Sequence, residues 1–226
     1  MNREHLVKSV KNNLFYLADS SKEKESLNRI IHAMQVIDRI FFVQDKKDAY
    51  FDTALPIGYN QTISQPSTVA RMLMLAELGI GNNFLELGAG SGWNASLIGF
   101  IIYPGKVLSL DIVPQLIEKA WENLNNLKDN LNHEDKKKLS NIEFKCFNIL
   151  KQLNTWQKKY DRIIITAGIN DTQEELVYQL AEKTLKEKGI LVCPYTHGPL
   201  IILKKENKKI SKDITREQYV FVPLLD

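Results

Sequence analysis

Residues 85–93 read LELGAGSGW, and the three glycines at alternate positions, Gly88, Gly90 and Gly92, decide what kind of chain this is. The apolar run NFLELG enters as a strand would, and SGWNASLIGFII leaves with the pattern of a helix. Glycine at such a junction lets the backbone turn sharply and lets a ligand approach it closely. The helix that follows begins with free N–H groups. The spacing excludes two common nucleotide loops. A dinucleotide fold requires G-x-G-x-x-G/A, and the third position here is Trp93. A phosphate-cradling loop ends in Gly-Lys-Ser/Thr, which is absent. What remains is an acid, Glu86, just ahead of glycines at two-residue spacing.

That arrangement is similar to the S-adenosylmethionine loop of class I methyltransferases. The following strand run, KVLSLDI, ends at Asp111, about 20 residues past the first glycine, where an acid can accept hydrogen bonds from both ribose hydroxyls. A side chain at Gly88 is expected to abolish binding by blocking approach to the backbone.

Outward from the loop, apolar runs alternate with helical patterns. PQLIEKAWENL reads as a helix, and NIEFKCF, DRIIITAG, GILVCPY and LIILKKE read as strands. Residues 172–189 read as a helix ending at Gly189, and KKENKKISKD as a hairpin-like turn between two final strands. The alternation predicts an α/β fold, a doubly wound, mostly parallel sheet with helices on both faces. Ahead of the loop, residues 22–43 carry apolar residues at three- and four-residue steps and read as a helix. Residues 44–61 read as a long loop, and Pro66 opens a helix closed by Gly79 and Gly81. We expect one methyltransferase domain over 1–226, with N-terminal helices and a substrate-side loop at 1–65 and the cofactor-binding core at 66–226. The polar, lysine-rich residues 125–141 read as a solvated helix extension and loop.

Composition narrows the function. A net charge of +3 over 226 residues is too mild for a nucleic-acid protein. No run approaches the ~18 apolar residues of a membrane span, and the first residues carry no secretory pattern. Cys146 and Cys193 are far apart and read as reduced thiols in a cytoplasmic protein. His5, His32 and His133 form no cluster, so no metal is implied. His197 reads as an exposed loop residue, Trp121 and Trp156 as core, and Trp93 as a wall of the ligand site or as packing.

The stretch GYNQTISQP, residues 58–66, is a polar island before a helix. Thr62 and Ser64 are two apart, so an extended backbone points them to the same side. A methyl donor needs a nucleophile. A carboxylate is charged at pH 7 without a base, and positioning it is worth several kcal/mol. Hydroxyls hold it without quenching its charge as Arg or Lys would.

Together AYFDTALPIGYNQTISQPSTVARML, LELGAGSGW, DRIIITAG, ELVYQL, GILVCP and the closing FVPLL strongly resemble the protein-L-isoaspartate O-methyltransferase family, over residues ~27–226. The resemblance implies methylation of the free α-carboxyl of an L-isoaspartyl residue in a damaged protein or peptide. The ester then collapses to a succinimide that hydrolyses partly to aspartate. It implies Thr62 and Ser64 as catalytic residues, with Tyr50, Asp52, Gln61 and Ile63 on the substrate side; Thr166, at the carboxyl end of the strand run DRIIIT, is expected there by topology. It places S-adenosyl-L-methionine against Glu86, Gly88, Ala89, Gly90, Ser91 and Gly92, and also against Asp111, Ile112, Asn148 and Ile149. A monomer is expected, because a protein substrate must reach an open cleft.

Three positions depart from the family. Asn60 stands for Gly; Asn148 stands for the acid of a G-D-G turn whose glycines are also missing; Asp111 stands for a frequent Glu. An amide at 148 can meet an adenine edge as donor and acceptor. Insertions around 125–140 and 181–188 read as surface elaboration. Two other readings stay open: a carboxyl methyltransferase dedicated to one peptide or another carboxylate, and a cofactor-binding module without catalysis.

Overall fold

Two helices open the chain, α1 (Arg3–Phe15) and α2 (Ser21–Val36), in a computed structural model that describes residues 2–225. Helix α2 starts at a capping box in which Ser20 and Glu23 each accept the other's backbone N–H. A hairpin of β1 (Leu55–Gly58) and β2 (Gln61–Ile63) follows, then α3 (Pro66–Leu75). From there strands and helices alternate: β3 (Asn83–Leu87), α4 (Trp93–Ile102), β4 (Lys106–Asp111), α5 (Pro114–Lys128), a short α6 (His133–Lys138) and β5 (Ile142–Cys146). The chain continues through β6 (Tyr160–Ile165), α7 (Glu174–Thr184), β7 (Leu185–Pro194), β8 (His197–Gly198), β9 (Leu200–Glu206), β10 (Lys209–Ile214) and β11 (Tyr219–Val220).

Seven strands form one sheet in the order β10–β9–β7–β6–β3–β4–β5. The five from β7 to β5 are parallel, and β9 and β10 are antiparallel. Strands β3, β4, β6, β7 and β9 divide their side chains between two cores, and β5 adds Ile142 and Phe144 to the first. Phe84, Val107, Phe144 and Ile164 face a core shared with α1 to α5. Leu85, Leu108, Ile163 and Leu191 face a second core closed by α7 and residues 149–153. The expected sheet with helices on both faces is therefore present.

Four boundaries differ from the sequence reading. Helix α2 stops at Val36, because Asp38 caps a 3-10 turn over Arg39–Phe41 and Ile37 leaves helical geometry (φ −85°, ψ 81°). The stretch expected as a loop over 44–61 contains strand β1 and the start of β2. Its turn residues Tyr59 and Asn60 are both left-handed (φ 54° and 57°), which two-residue hairpins require and Asn tolerates. Helix α3 ends at Leu75, not near Gly79, with Glu77 left-handed at φ 48°. Helix α7 ends at Thr184, not at Gly189. Leu185 is buried against the sheet opposite Tyr160, and the next residues bulge before Ile190 resumes the ladder opposite Arg162. Burial of Leu185 thus overrides the helical preference of LKEK. The final hairpin is as expected, turning at left-handed Asn207 and Lys208. No residue of α6 is buried, in keeping with a solvated insertion.

Candidate active site

The glycine loop leaves β3 where the sheet order reverses, with β4 and β5 on one side of β3 and β6 on the other. Open α/β sheets hold ligands at that switch point. The N–H groups of Gly88 and Ala89 both donate to Leu110 O (2.7 and 3.0 Å), so the loop is anchored to β4. Asp111 closes it further: Oδ2 accepts the Gly90 N–H and Oδ1 the Val113 N–H, each at 3.0 Å. Each carboxylate oxygen retains a second lone pair for a ligand hydroxyl.

Gly88 is required to be glycine by the protein's own packing as well. Its φ is +98°, and a Cβ there would lie 2.1 Å from Thr166 Oγ1. The first obstacle a side chain would meet is thus a neighbouring side chain of the protein. Thr166 donates its hydroxyl to Gly88 O (2.7 Å) and so braces the loop from β6. At Gly92 a Cβ would stand 3.0 Å from Ala120 Cβ and 3.1 Å from Phe144 Cζ, so this glycine lets the loop seat on α5 and β5.

Glu86 is a correction. It is fully buried and faces Ser109 across the β3–β4 register, and it does not line the cleft. Its carboxylate accepts from Ser109 Oγ and from Asn94 Nδ2 (2.7 Å). Burial pushes this carboxyl up to about 7, against the downward pull of the two donors. Asn94 does line the cleft, so Glu86 acts one side chain removed from it.

Two adjoining clefts open at the C-terminal ends of β3, β4 and β6. The first, about 520 Å³, runs from Gly88 and Asp111 over Ile112, Phe147, Asn148 and Ile149. It has the apolar walls and single acid that a nucleoside requires. Asn148 caps the turn at 150–152, its Oδ1 accepting the N–H groups of Leu150 and Lys151. Its oxygen is thereby engaged, and the NH₂ is the edge it can offer a base. The second cleft, about 620 Å³, is lined by Thr62, Ile63, Ser64, Ser91, Trp93 and Thr166 among others. Gln61, Gly88, Asp111 and Ala167 line both. The donor set fits S-adenosyl-L-methionine: glycine backbone, an acid for the ribose, an apolar slot and no cluster of cations.

Most of the expected site residues therefore converge; besides Glu86, three do not: Gly92, packed on Ala120 and Phe144 instead, Tyr50 and Asp52. Tyr50 donates its hydroxyl to both oxygens of Asp38 (3.1 Å each). Asp52 Oδ1 accepts the Ser67 N–H at 2.8 Å, capping α3, whose own cap residue Gln65 makes no such bond. Neither residue lines either cleft. Trp93 is buried, lines the second cleft and donates from Nε1 to Ile37 O (3.1 Å).

Two features escaped the sequence reading. Pro223, Leu224 and Leu225 form one wall of the first cleft and Val222 part of the second. Gly168 N–H donates to Val222 O (2.8 Å) and Leu224 N–H to Gly168 O (2.7 Å), laying the tail along the end of β6. The FVPLL run was its signal. The other is Arg39, 2 % exposed, a lone cation in the apolar run VIDRIFFV. Burial draws its guanidinium down to about 10 against the field of Asp52, so it stays charged at neutral pH.

Residues 4–226 match the profile of the family described as protein-L-isoaspartate(D-aspartate) O-methyltransferase (PCMT). The chain belongs to this family. Among curated members of the PCMT family, a protein-L-isoaspartate O-methyltransferase of Methanopyrus kandleri is 34% identical over 99% of this chain and 91% of its own length. Another, of Pyrococcus horikoshii, is 37% identical over 83% of this chain and 80% of its own. A solved PCMT structure from Plasmodium falciparum, in complex with S-adenosyl-L-homocysteine, superposes with a TM-score of 0.78 over 100% of this chain and 99% of that one. At 21% identity it attests the shared fold.

Proposed function

We propose that the chain methylates the free α-carboxyl of L-isoaspartyl residues in damaged proteins or peptides, using S-adenosyl-L-methionine. The observation that carries this reading is the position of Thr62 and Ser64 on the wall of a cleft that shares Gly88 and Asp111 with the neighbouring nucleoside-shaped one. Membership of the PCMT family supports the substrate class.

S-adenosyl-L-methionine supplies, when bound, an electrophilic methyl group on a sulfonium. The residues that would hold it are Gly88, Ala89, Gly90, Ser91 and Asp111, with Ile112, Asn148 and Ile149 against the base. On the other side, the Thr62 and Ser64 hydroxyls donate to the substrate carboxylate. A carboxylate is ionised at neutral pH, so the site needs no general base. Its task is to orient one oxygen and exclude water, and orientation alone is worth several kcal/mol. Ile63, Val69, Met72, Trp93 and Val222 supply apolar wall for that purpose. The resulting ester loses methanol when the neighbouring backbone nitrogen attacks its carbonyl, and the succinimide so formed hydrolyses partly to aspartate.

The reading takes residues 1–226 as one methyltransferase domain. Packing of α1 and α2 into the same core as α4 supports it. It also takes the enzyme as a cytoplasmic monomer: Cys146 and Cys193 are free thiols, as a reducing compartment allows. No helix among the described residues is long and apolar enough to cross a membrane.

The test is methyl transfer from labelled S-adenosyl-L-methionine to two peptides of one sequence, one isoaspartyl and one aspartyl. Base-labile label on the isoaspartyl peptide alone is the expected result. Equal labelling of both, or of neither while the donor still binds, overturns the assignment.

A further inference from the structure

We propose that Arg39 is a positioning residue for the substrate carboxylate, acting through Ser64. The inference rests on the function proposed above. All four of its terminal N–H groups are spent on backbone carbonyls of the substrate-side segment. Nη1 donates to Ala49 O (3.1 Å) and Phe51 O (3.0 Å); Nη2 donates to Thr53 O (2.8 Å) and Ser64 O (3.2 Å). One guanidinium thus binds a loop three times and ties that loop to the residue bearing the proposed catalytic hydroxyl. Its centre also lies 5.4 Å from the Trp93 ring, at the start of α4 and on the wall of the same cleft.

The hairpin needs such a tie. β1 and β2 pair only with each other and form a sheet separate from the seven-stranded one. Ser64 lies beyond the last paired residue, Ile63, so no strand ladder fixes its backbone. The Arg39 bond to Ser64 O does.

The charge matters as well as the bonds. A buried cation is ordinarily retained beside a carboxylate. Here the bonding partners are neutral carbonyls, and Asp52 acts on Arg39 only through its field. A positive charge therefore stands behind the Ser64 backbone. It attracts an anion to the cleft without bonding it directly, so the carboxylate oxygen keeps its nucleophilicity. Lysine cannot substitute fully. Its three donors radiate from one atom and cannot span four carbonyls that guanidinium meets in a plane.

Arg39→Lys and Arg39→Gln test this in steady-state methylation of an isoaspartyl peptide, alongside S-adenosyl-L-methionine binding by calorimetry. Arg39→Lys should raise the peptide KM about tenfold, and Arg39→Gln, lacking charge and fork, should raise it further and lower kcat. The donor Kd should stay within twofold in both. A merely architectural arginine predicts otherwise: donor affinity and peptide kinetics would decline together, or the folded fraction would fall with unchanged KM. Either result overturns the proposal. Should Arg39→Gln fail to fold, Arg39→Lys decides alone, combined with Ser64→Ala in a double-mutant cycle. Action through Ser64 requires that Arg39→Lys add less than twofold in the Ser64→Ala background, and full additivity refutes it. If the wild type does not methylate the isoaspartyl peptide, the functional reading fails and this inference falls with it; a wild type that does, matched by Arg39→Lys, removes the inference alone.

Discussion

Gly88→Ala is the substitution whose cost the structure allows to be worked out. Alanine at φ +98° carries backbone strain of about 1–3 kcal/mol. Its Cβ would sit 2.1 Å from Thr166 Oγ1, so the threonine side chain must rotate or shift away. In doing so it gives up its hydrogen bond to Gly88 O, worth about 1 kcal/mol. The sum is about 2–4 kcal/mol, readable as a shift in the urea midpoint at constant slope. The two contributions can be separated. Thr166→Ala alone should cost about 1 kcal/mol, the lost bond. The double variant Gly88→Ala/Thr166→Ala should cost less than the sum of the singles by about 1 kcal/mol, because the bond can be lost only once. If the singles add, or if Gly88→Ala lies within about 0.5 kcal/mol of wild type, then Thr166 is not what requires glycine at this position.

Other outcomes follow from the same geometry. Ser64→Ala should lower kcat/KM for an isoaspartyl peptide about 10- to 100-fold, the worth of one hydrogen bond to a charged group, with donor affinity nearly intact; full activity would remove the hydroxyl from the chemistry. Glu86 titrates at about 7 in the folded chain against an ordinary 4.5, so the folded state holds the extra proton between those values. Stability relative to Glu86→Gln should therefore fall as pH rises through that window, by on the order of 3 kcal/mol, and level off above it. A difference that does not vary from pH 4 to 8 would refute the burial argument. Asp52→Ala should cost about 1 kcal/mol in a urea melt as α3 loses its cap, and Asp52→Asn, which keeps an acceptor oxygen, should recover most of it; equal losses in both would mean the cap contributes nothing.

Much of this could be foreseen from residue order. The parallel strands were legible because their apolar runs are short and most are bounded by glycine or proline, and the loop at 85–93 located the switch point. Thr62 and Ser64 were legible because hydroxyls at two-residue spacing before Pro66 need a reason. Glu86 misled because chain order shows its closeness to the glycines and not the pleat, which turns it toward Ser109. Tyr50 and Asp52 belong to the substrate-side segment in sequence, yet their polar atoms are taken by Asp38 and Ser67. Helix α7 was drawn too long because local propensity carries no information on the sheet contact that captures Leu185. Arg39 is the most instructive omission: a cation in an apolar run announces a partner, but backbone carbonyls as partners leave no mark in sequence.

The four residues common to both clefts, Gln61, Gly88, Asp111 and Ala167, make a party wall. A ligand in either compartment meets residues that also bound the other, so any displacement of that wall by one occupant reaches the other. Whatever coupling free energy the wall transmits is reciprocal: if donor tightens acceptor, acceptor tightens donor by the same factor. Where discharge of the donor shifts one side of that wall, the affinity on the far side changes with it. Release of the methylated chain and release of the spent donor are in that case linked events, through three side chains and the backbone of Gly88.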